Sequence, residues 1–371
     1  MQTSIEILKQ YFGYATFRYP QAEVIQSVLE KNDTLALLPT GGGKSVCFQV
    51  PALLQEGICI VISPLIALMK DQVAQLKLRN IKAAAIFSGL SYPEIDIILD
   101  NCQFGQYKFL YLSPERLKTE IFIERFKQMN VNLIAVDEAH CVSQWGYDFR
   151  PPYLEIAAIR KFHPLVPVVA LTASATPNVQ DDIIDKLQLK KVSVFKKSFQ
   201  RENLSFVVRK EEAKFSKLVE IIQKLNGSGI VYVRSRNRTK EVAEFLFKHQ
   251  INADFYHAGL KNTDRHSKQE NWIKNKSQVM VCTNAFGMGI DKPDVRYVIH
   301  IDVPDSLEAY YQEAGRAGRD GKLSYAAILY TQADIDTLQE KLEAKFPSVA
   351  QIKSVYNAIC NHLSIAVGSG Y

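Results

Sequence analysis

Cysteine is sparse and scattered in this sequence: six residues stand at 47, 59, 102, 141, 282 and 360, and no two form a Cys-x-x-Cys pair. Such spacing argues against a zinc site and a disulfide framework, so no zinc is expected and a reducing compartment fits. Long apolar runs are missing as well, and none approaches the roughly 20 residues needed to span a membrane. The first ten residues lack the basic start and continuous apolar core of a secretory signal. A cytoplasmic protein without a membrane partner is expected. Neither charge sign dominates: 45 Lys and Arg against 39 Asp and Glu leave a net charge of +6, which permits a polyanionic partner without requiring one. There is no low-complexity tract.

What the sequence does contain is a recurring alternation. Short runs rich in Val, Ile and Leu, at 34–38, 58–62, 109–112, 133–136 and 168–171, are each followed by a helical pattern. They read as buried parallel strands. The pattern restarts at 229–233, 279–282, 297–301 and 326–330, with helical stretches such as 238–249 between. With 371 residues, the chain is long enough for two α/β domains, each a mostly parallel sheet flanked by helices. The polar, basic stretch 194–204 is the expected boundary, giving domains at 1–203 and 204–345 and a short helical extension at 346–371.

One strand runs directly into Pro39-Thr40-Gly41-Gly42-Gly43-Lys44-Ser45, and a helical pattern follows. Glycines at that junction let backbone N–H groups crowd around phosphate oxygens at a helix N-terminus. Lys44 would reach the β- and γ-phosphates of ATP and Ser45 would hold Mg²⁺. The strict phosphate-loop pattern wants glycine at position 38, where this chain has Leu. Asp137 and Glu138 follow a second buried strand; the first suits the Mg²⁺ shell and the second can orient and deprotonate the attacking water. In the second half, Gln312, Arg316 and Arg319 stand on small-residue spacers. If this segment is helical, the two arginines share one face and can reach across a cleft to the γ-phosphate.

In order along the chain come Phe17-Arg-Tyr-Pro-Gln21, the Gly-rich loop, 63–72 (Ser-Pro-Leu-Ile-Ala-Leu-Met-Lys-Asp-Gln), Ser113-Pro-Glu-Arg116, Asp137-Glu-Ala-His140, Leu171-Thr-Ala-Ser-Ala-Thr176, 283–291 (Thr-Asn-Ala-Phe-Gly-Met-Gly-Ile-Asp) and the arginine segment. This series resembles the RecQ family of superfamily 2 DNA helicases over nearly all of residues 5–332. The resemblance implies two tandem RecA-like domains with ATP in the cleft between them. It further implies that Gln21 and Arg18 read the adenine, that Tyr14 stacks on it, and that Phe17 and Asp291 belong to the nucleotide site. Residues 141–153, Cys-Val-Ser-Gln-Trp-Gly-Tyr-Asp-Phe-Arg-Pro-Pro-Tyr, look like the family's aromatic-rich loop. Trp145, Phe149 and Arg150 would there stack on unpaired bases.

By the same resemblance, Ser63, Thr172, Ser235, Thr283 and Arg236 hold DNA phosphates, and movement runs 3′ to 5′ on single-stranded DNA or on tailed and forked duplexes. A role in DNA repair and recombination and a monomeric state are expected with it, as is a nucleoid location if the source is bacterial. Two features depart from the family pattern. Tyr147 stands where most members have histidine, and the four-cysteine zinc module and winged-helix region have no counterpart in these residues. Two alternatives stay open: an RNA-dependent ATPase of the same superfamily, which usually has Arg where this chain has Glu313, and an ATP-gated DNA binder with weak or no unwinding.

Overall fold

Strands buried on both faces need apolar residues at every position, and Ile58–Ile62 is of that kind, with all five side chains buried. The computed structural model describes residues 2–39, 41–144, 148–198, 200–286 and 292–365. In it, β1 (Thr34–Leu37), β2 (Ile58–Ile62), β3 (Ala83–Ile86), β4 (Phe109–Leu112), β5 (Val131–Val136), β6 (Val168–Thr172) and β7 (Ser193–Lys196) form one sheet in the order β3-β4-β2-β5-β6-β1-β7. A second sheet contains β8 (Leu204–Lys210), β9 (Ser228–Tyr232), β10 (Ala253–Tyr256), β11 (Val279–Cys282), β12 (Val295–His300) and β13 (Ser324–Tyr330), in the order β10-β11-β9-β12-β13-β8. Every strand pairing is parallel.

Parallel pairing matters for function because it brings all strand C-termini to one edge of each sheet, where successive loops converge. Ser45, Ser63, Glu138 and Thr172 follow β1, β2, β5 and β6, or end them; Ser235 and Thr283 follow β9 and β11. The opposite edge of the first sheet is fastened by Asp33. Its buried carboxylate receives the Val168 N–H at 2.8 Å, the Lys190 N–H at 2.6 Å and the Arg160 guanidinium at 2.6 Å, so one side chain secures the starts of β1 and β6. In the second sheet Gly229 is required by contact: a Cβ there would overlap the Tyr297 ring, and its carbonyl accepts from the buried Trp272 indole at 3.2 Å.

Four strands lie outside the apolar runs that mark strands in the sequence. β3 is alanine-rich, β10 is half-buried, and β7 and β8 lie at sheet edges with alternating or mostly exposed side chains. The polar stretch 194–204 is therefore strand at both its ends. Two C-terminal helices, Gln332–Lys345 and Val349–His362, bury only Cys360 between them. Among the described residues, no helix is long and apolar enough to cross a membrane.

Candidate nucleotide and nucleic-acid site

The glycine loop leaves β1 through Leu38, whose N–H is held by Thr172 O at 3.0 Å. Gly41 and Gly43 take positive φ of 79° and 75°, a region costly for residues with a Cβ. The loop carbonyls are held from outside. Gln21 Nε2 donates to Gly42 O at 3.1 Å and to Gly43 O at 3.3 Å, Gln21 Oε1 accepts the Arg18 N–H at 2.9 Å, and Arg18 Nη1 donates to Gly41 O at 3.2 Å. The two residues assigned to adenine by resemblance thus also brace the phosphate loop. Phe17 packs on the core formed by Ile7, Leu8, Ile25, Val46 and Val50, while Tyr14 is 55% exposed and presents its ring to solvent.

Lys44 and Ser45 lead into the helix Val46–Leu54. Lys44 Nζ donates to Glu138 Oε1 at 3.2 Å. Burial disfavours that ammonium, but the Glu138 and Asp137 carboxylates outweigh it, so Lys44 is held charged more firmly than an ordinary lysine. Glu138 reaches it from a left-handed backbone at φ 48°, ψ 48°, a conformation an L-residue keeps only when its surroundings enforce it. That geometry turns Glu138 back over the loop. Its other oxygen, Oε2, accepts no hydrogen bond and has His140 Nδ1 3.5 Å away. Burial would raise the Glu138 carboxyl, yet Lys44, His140 and Arg316 together hold it below its ordinary range.

Asp137 is in the opposite state. Burial, together with the neighbouring Glu138 charge, pushes its carboxyl up to about 6 against the pull of Lys44. Two carboxylates share one ammonium here, and the carboxylate of Asp137 and the hydroxyl of Ser45 are hard oxygen donors of the kind Mg²⁺ selects. The site fits the ion through these oxygen donors. Tyr153, fully buried, fixes the segment by donating to Asp137 O at 2.9 Å.

The second sheet supplies the opposing wall. The helix Leu307–Ala314 carries Gln312, half-buried, on its last turn and ends before the arginines. Arg316 and Arg319 stand instead in consecutive turns: Ala317 N bonds Ala314 O at 3.1 Å, and Gly318, with φ 63°, donates to Val295 O at 2.8 Å. The expected shared helical face does not form, because glycines at 315 and 318 break the helix. Arg319 lies over Gly41, whose Cβ would meet Arg319 Cγ at 3.1 Å, and the Arg316 charge bears on Glu138.

The nucleic-acid candidates divide. Ser235 and Arg236 are exposed, with Ser235 capping the helix Arg236–Lys248 by accepting the Arg238 N–H at 3.2 Å. Within the same basic run, Arg234 and Arg238 are committed to Asp302, Val303 O and Asp305. Ser63 and Thr283 are buried. Thr172 is fully buried and its hydroxyl lies 2.9 Å from His140 Nδ1, so this side chain is given to the acidic segment and not to a phosphate. Arg150 likewise holds its own loop: it donates to Pro64 O at 2.9 Å and to Asp148 Oδ2 at 3.0 and 3.2 Å. Phe149 is half-buried. Thr40, Trp145, Tyr147 and Asp291 lie outside the described residues. His140 was not picked out in the sequence as a site residue, although it carried a signal, since it closes the acidic motif.

Among the described residues no three or more His, Cys, Asp or Glu side chains gather as a metal cluster, and the six cysteines are free and buried.

This arrangement of two parallel sheets is that of a two-domain helicase core. The DEAD/DEAH box helicase family matches residues 18–183 and the helicase conserved C-terminal domain matches residues 213–321. Solved structures agree at the level of fold. The Mycobacterium smegmatis helicase Lhr bound to ssDNA and AMP-PNP superposes with TM-score 0.72 at 17% identity, over 90% of this chain and 48% of that one. The DEAD-box helicase Mss116 bound to ssRNA and UDP-BeF does so with 0.73 at 19%, over 93% and 76%. Sequence relatives are nearer. A probable ATP-dependent DNA helicase RecS of Bacillus subtilis is 42% identical over 95% of this chain and 72% of its own length. The ATP-dependent DNA helicase RecQ of Bacillus subtilis is 47% identical over 89% of this chain and 56% of its own length, and that of Haemophilus influenzae is 42% identical over 92% and 56%. The chain belongs to the RecQ family of ATP-dependent DNA helicases. It spans little more than half the length of those two RecQ relatives.

Proposed function

We propose that this chain is the motor of an ATP-dependent DNA helicase that moves 3′ to 5′ along single-stranded DNA and separates duplexes with a single-stranded tail, in DNA repair and recombination within the cytoplasm. The observation that carries the reading is the approach of Arg319 and Arg316 from the second sheet to Gly41 and Glu138 of the first. Hydrolysis between two sheets is how nucleotide turnover becomes movement of one against the other.

Lys44 would leave Glu138 for the β- and γ-phosphates, a stronger multiple anion. Glu138, released from its ammonium partner, would accept a proton from the water it orients, while His140 and Thr172 keep its backbone segment in place. Arg316 and Arg319 would take up charge developing on the γ-phosphate, a contribution of roughly 10³ to 10⁵ in rate for arginine fingers in general. Ser45 and Asp137 would hold Mg²⁺, which when bound neutralises phosphate charge. Single-stranded DNA would cross both sheets at their C-terminal edges, where Ser235 and Arg236 are exposed.

The test compares ATP turnover with single-stranded DNA, with RNA and without nucleic acid, alongside displacement of a strand from a duplex with a 3′ tail. The expected result is stimulation by DNA well beyond that by RNA, and ATP-dependent displacement. Stimulation by RNA alone would favour the RNA-dependent ATPase. Turnover without displacement would leave a DNA-gated ATPase.

A further inference from the structure

Two helices share one face of the first sheet: Val46–Leu54, which leaves the phosphate loop, and Ile66–Leu78, which follows the Ser63 segment. Phe48 of the first and Met69 and Val73 of the second lie in one apolar cluster with Phe109 and Tyr111 of β4. A single amide is set among them. Gln49 is 4% exposed, and its Nε2 donates to Gln72 Oε1 at 3.1 Å and to the Tyr111 hydroxyl oxygen at 3.2 Å. Gln72 is half-buried and Tyr111 is buried. An apolar side chain of the same length would fill this space without removing an amide from water, a cost that is offset here only because both donors find partners. What the amide adds is direction: it bonds the first helix to the second helix and to β4 at fixed positions.

Each partner leads to one of the candidate sites. The Gln49 N–H donates to Ser45 O at 2.9 Å, which places the amide one helical turn beyond the phosphate loop. Tyr111 precedes Leu112, whose carbonyl accepts the Ser63 N–H at 3.0 Å. Gln72 stands on the second turn of the helix that Ser63 and Pro64 lead into. Pro64 O is in turn the carbonyl held at 2.9 Å by Arg150 of the aromatic-rich loop. One buried hydrogen-bonded group therefore joins the phosphate helix to the segment where the Ser63 and aromatic-loop candidates meet.

We infer that Gln49 is a positioning residue that registers the helix Ile66–Leu78 against the phosphate helix, so that DNA held at the Ser63 segment shifts Lys44 and Ser45 and raises ATP turnover. The inference rests on the proposed roles of Lys44 at ATP and of Ser63 at DNA. Packed helices move by small slides, and a directional hydrogen bond passes such a slide to its neighbour more strictly than apolar contact does. Loss of the amide leaves the packing in place and lets the two helices settle independently.

The experiment is steady-state ATPase kinetics, with and without saturating single-stranded DNA, on Gln49→Met, Gln72→Met and the double variant. Methionine keeps the length of the side chain and removes its hydrogen bonds. Gln49→Met is expected to lower the stimulation by DNA about fivefold, the scale of one neutral hydrogen bond, with DNA-free turnover, the KM for ATP and the Kd for DNA within about twofold of the parent. Gln72→Met is expected to lose stimulation likewise, and the double variant no more than Gln49→Met, since both remove the same link. Unchanged stimulation in Gln49→Met, equal falls with and without DNA, or losses that add in the double variant overturn the inference. Should Gln49→Met fold poorly, Gln72→Met, changed on the half-exposed side, decides by the same criterion. A parent chain that DNA does not stimulate would instead defeat the proposed function, so the two failures are distinguishable.

Discussion

Arg319 lies across Gly41: a Cβ on that glycine would stand 3.1 Å from Arg319 Cγ and 3.3 Å from its Cδ. The contact joins the two halves of the chain at the nucleotide loop. Two independent demands meet at Gly41, a left-handed backbone and close approach of Arg319.

Gly41→Ala forces a Cβ residue to φ 79°, and it presses on the arginine from the other half. The left-handed conformation alone costs roughly 1–2 kcal/mol. A fall in DNA-stimulated kcat of about tenfold or more is expected, together with a small drop in thermal midpoint. Parent-like kinetics would show that the loop and Arg319 do not work together.

Lys44→Ala and Glu138→Gln should both abolish turnover but differ in nucleotide affinity. Without Lys44 the phosphates lose their cation, so binding of a non-hydrolysable ATP analogue weakens along with catalysis. Without the Glu138 carboxylate only the water loses its base, and loss on the order of 10² to 10³ in kcat is expected with binding retained. Fluorescent-analogue titration beside ATPase rates separates the two, and near-parental turnover in either variant would refute its assigned role.

Asp137 supplies a pH test. A carboxyl raised from 3.8 to about 6 binds its proton more tightly in the folded protein, so it costs stability once pH passes its ordinary value, and the cost is complete above about 6. Metal-free Asp137→Asn should therefore melt higher than the parent at about pH 8, with the gain shrinking as pH falls toward 4. Added Mg²⁺ should raise the midpoint of the parent more than that of the variant, while the variant has no useful ATPase. A constant difference across the pH range would count against a raised Asp137 carboxyl.

Asp33 is far from the nucleotide loop and should affect stability alone. Asp33→Ala strands the Arg160 guanidinium, 11% exposed, and two backbone donors at 2.6 and 2.8 Å. Breaking a buried pair of this kind costs about 3–5 kcal/mol. Urea denaturation should show that loss, and protein folded at low temperature should keep its DNA-stimulated ATPase.

The apolar runs in the sequence marked the strands buried on both faces, since burial there demands Val, Ile and Leu at every position. They could not mark β7 and β8, whose edge positions tolerate Lys, Arg and Ser, or β3, where three alanines carry little strand preference. At the candidate site, the meeting of Lys44 with the Asp137–Glu138 pair was legible because both segments directly follow buried strands of one parallel sheet. The partners of Thr172 and Arg150 were not, because a hydroxyl or guanidinium that looks available in sequence is equally able to bond a neighbour. The condition that residues 315–319 be helical is not met, and the glycines at 315 and 318 were the visible sign of it.

The connection between the sheets has a consequence of its own. Arg201 donates to Gly315 O at 3.0 Å and Gly318 O at 2.5 Å, and Asn203 donates to Gly318 O at 2.8 Å. The few residues between β7 and β8 are thus fastened to the turn that carries Arg316. A rotation of one sheet against the other is applied at the same place that sets the arginine, and the angle of the two halves and the readiness of the ATP site cannot be adjusted separately. An insertion in this connector, harmless in most interdomain linkers, would here detune the chemistry.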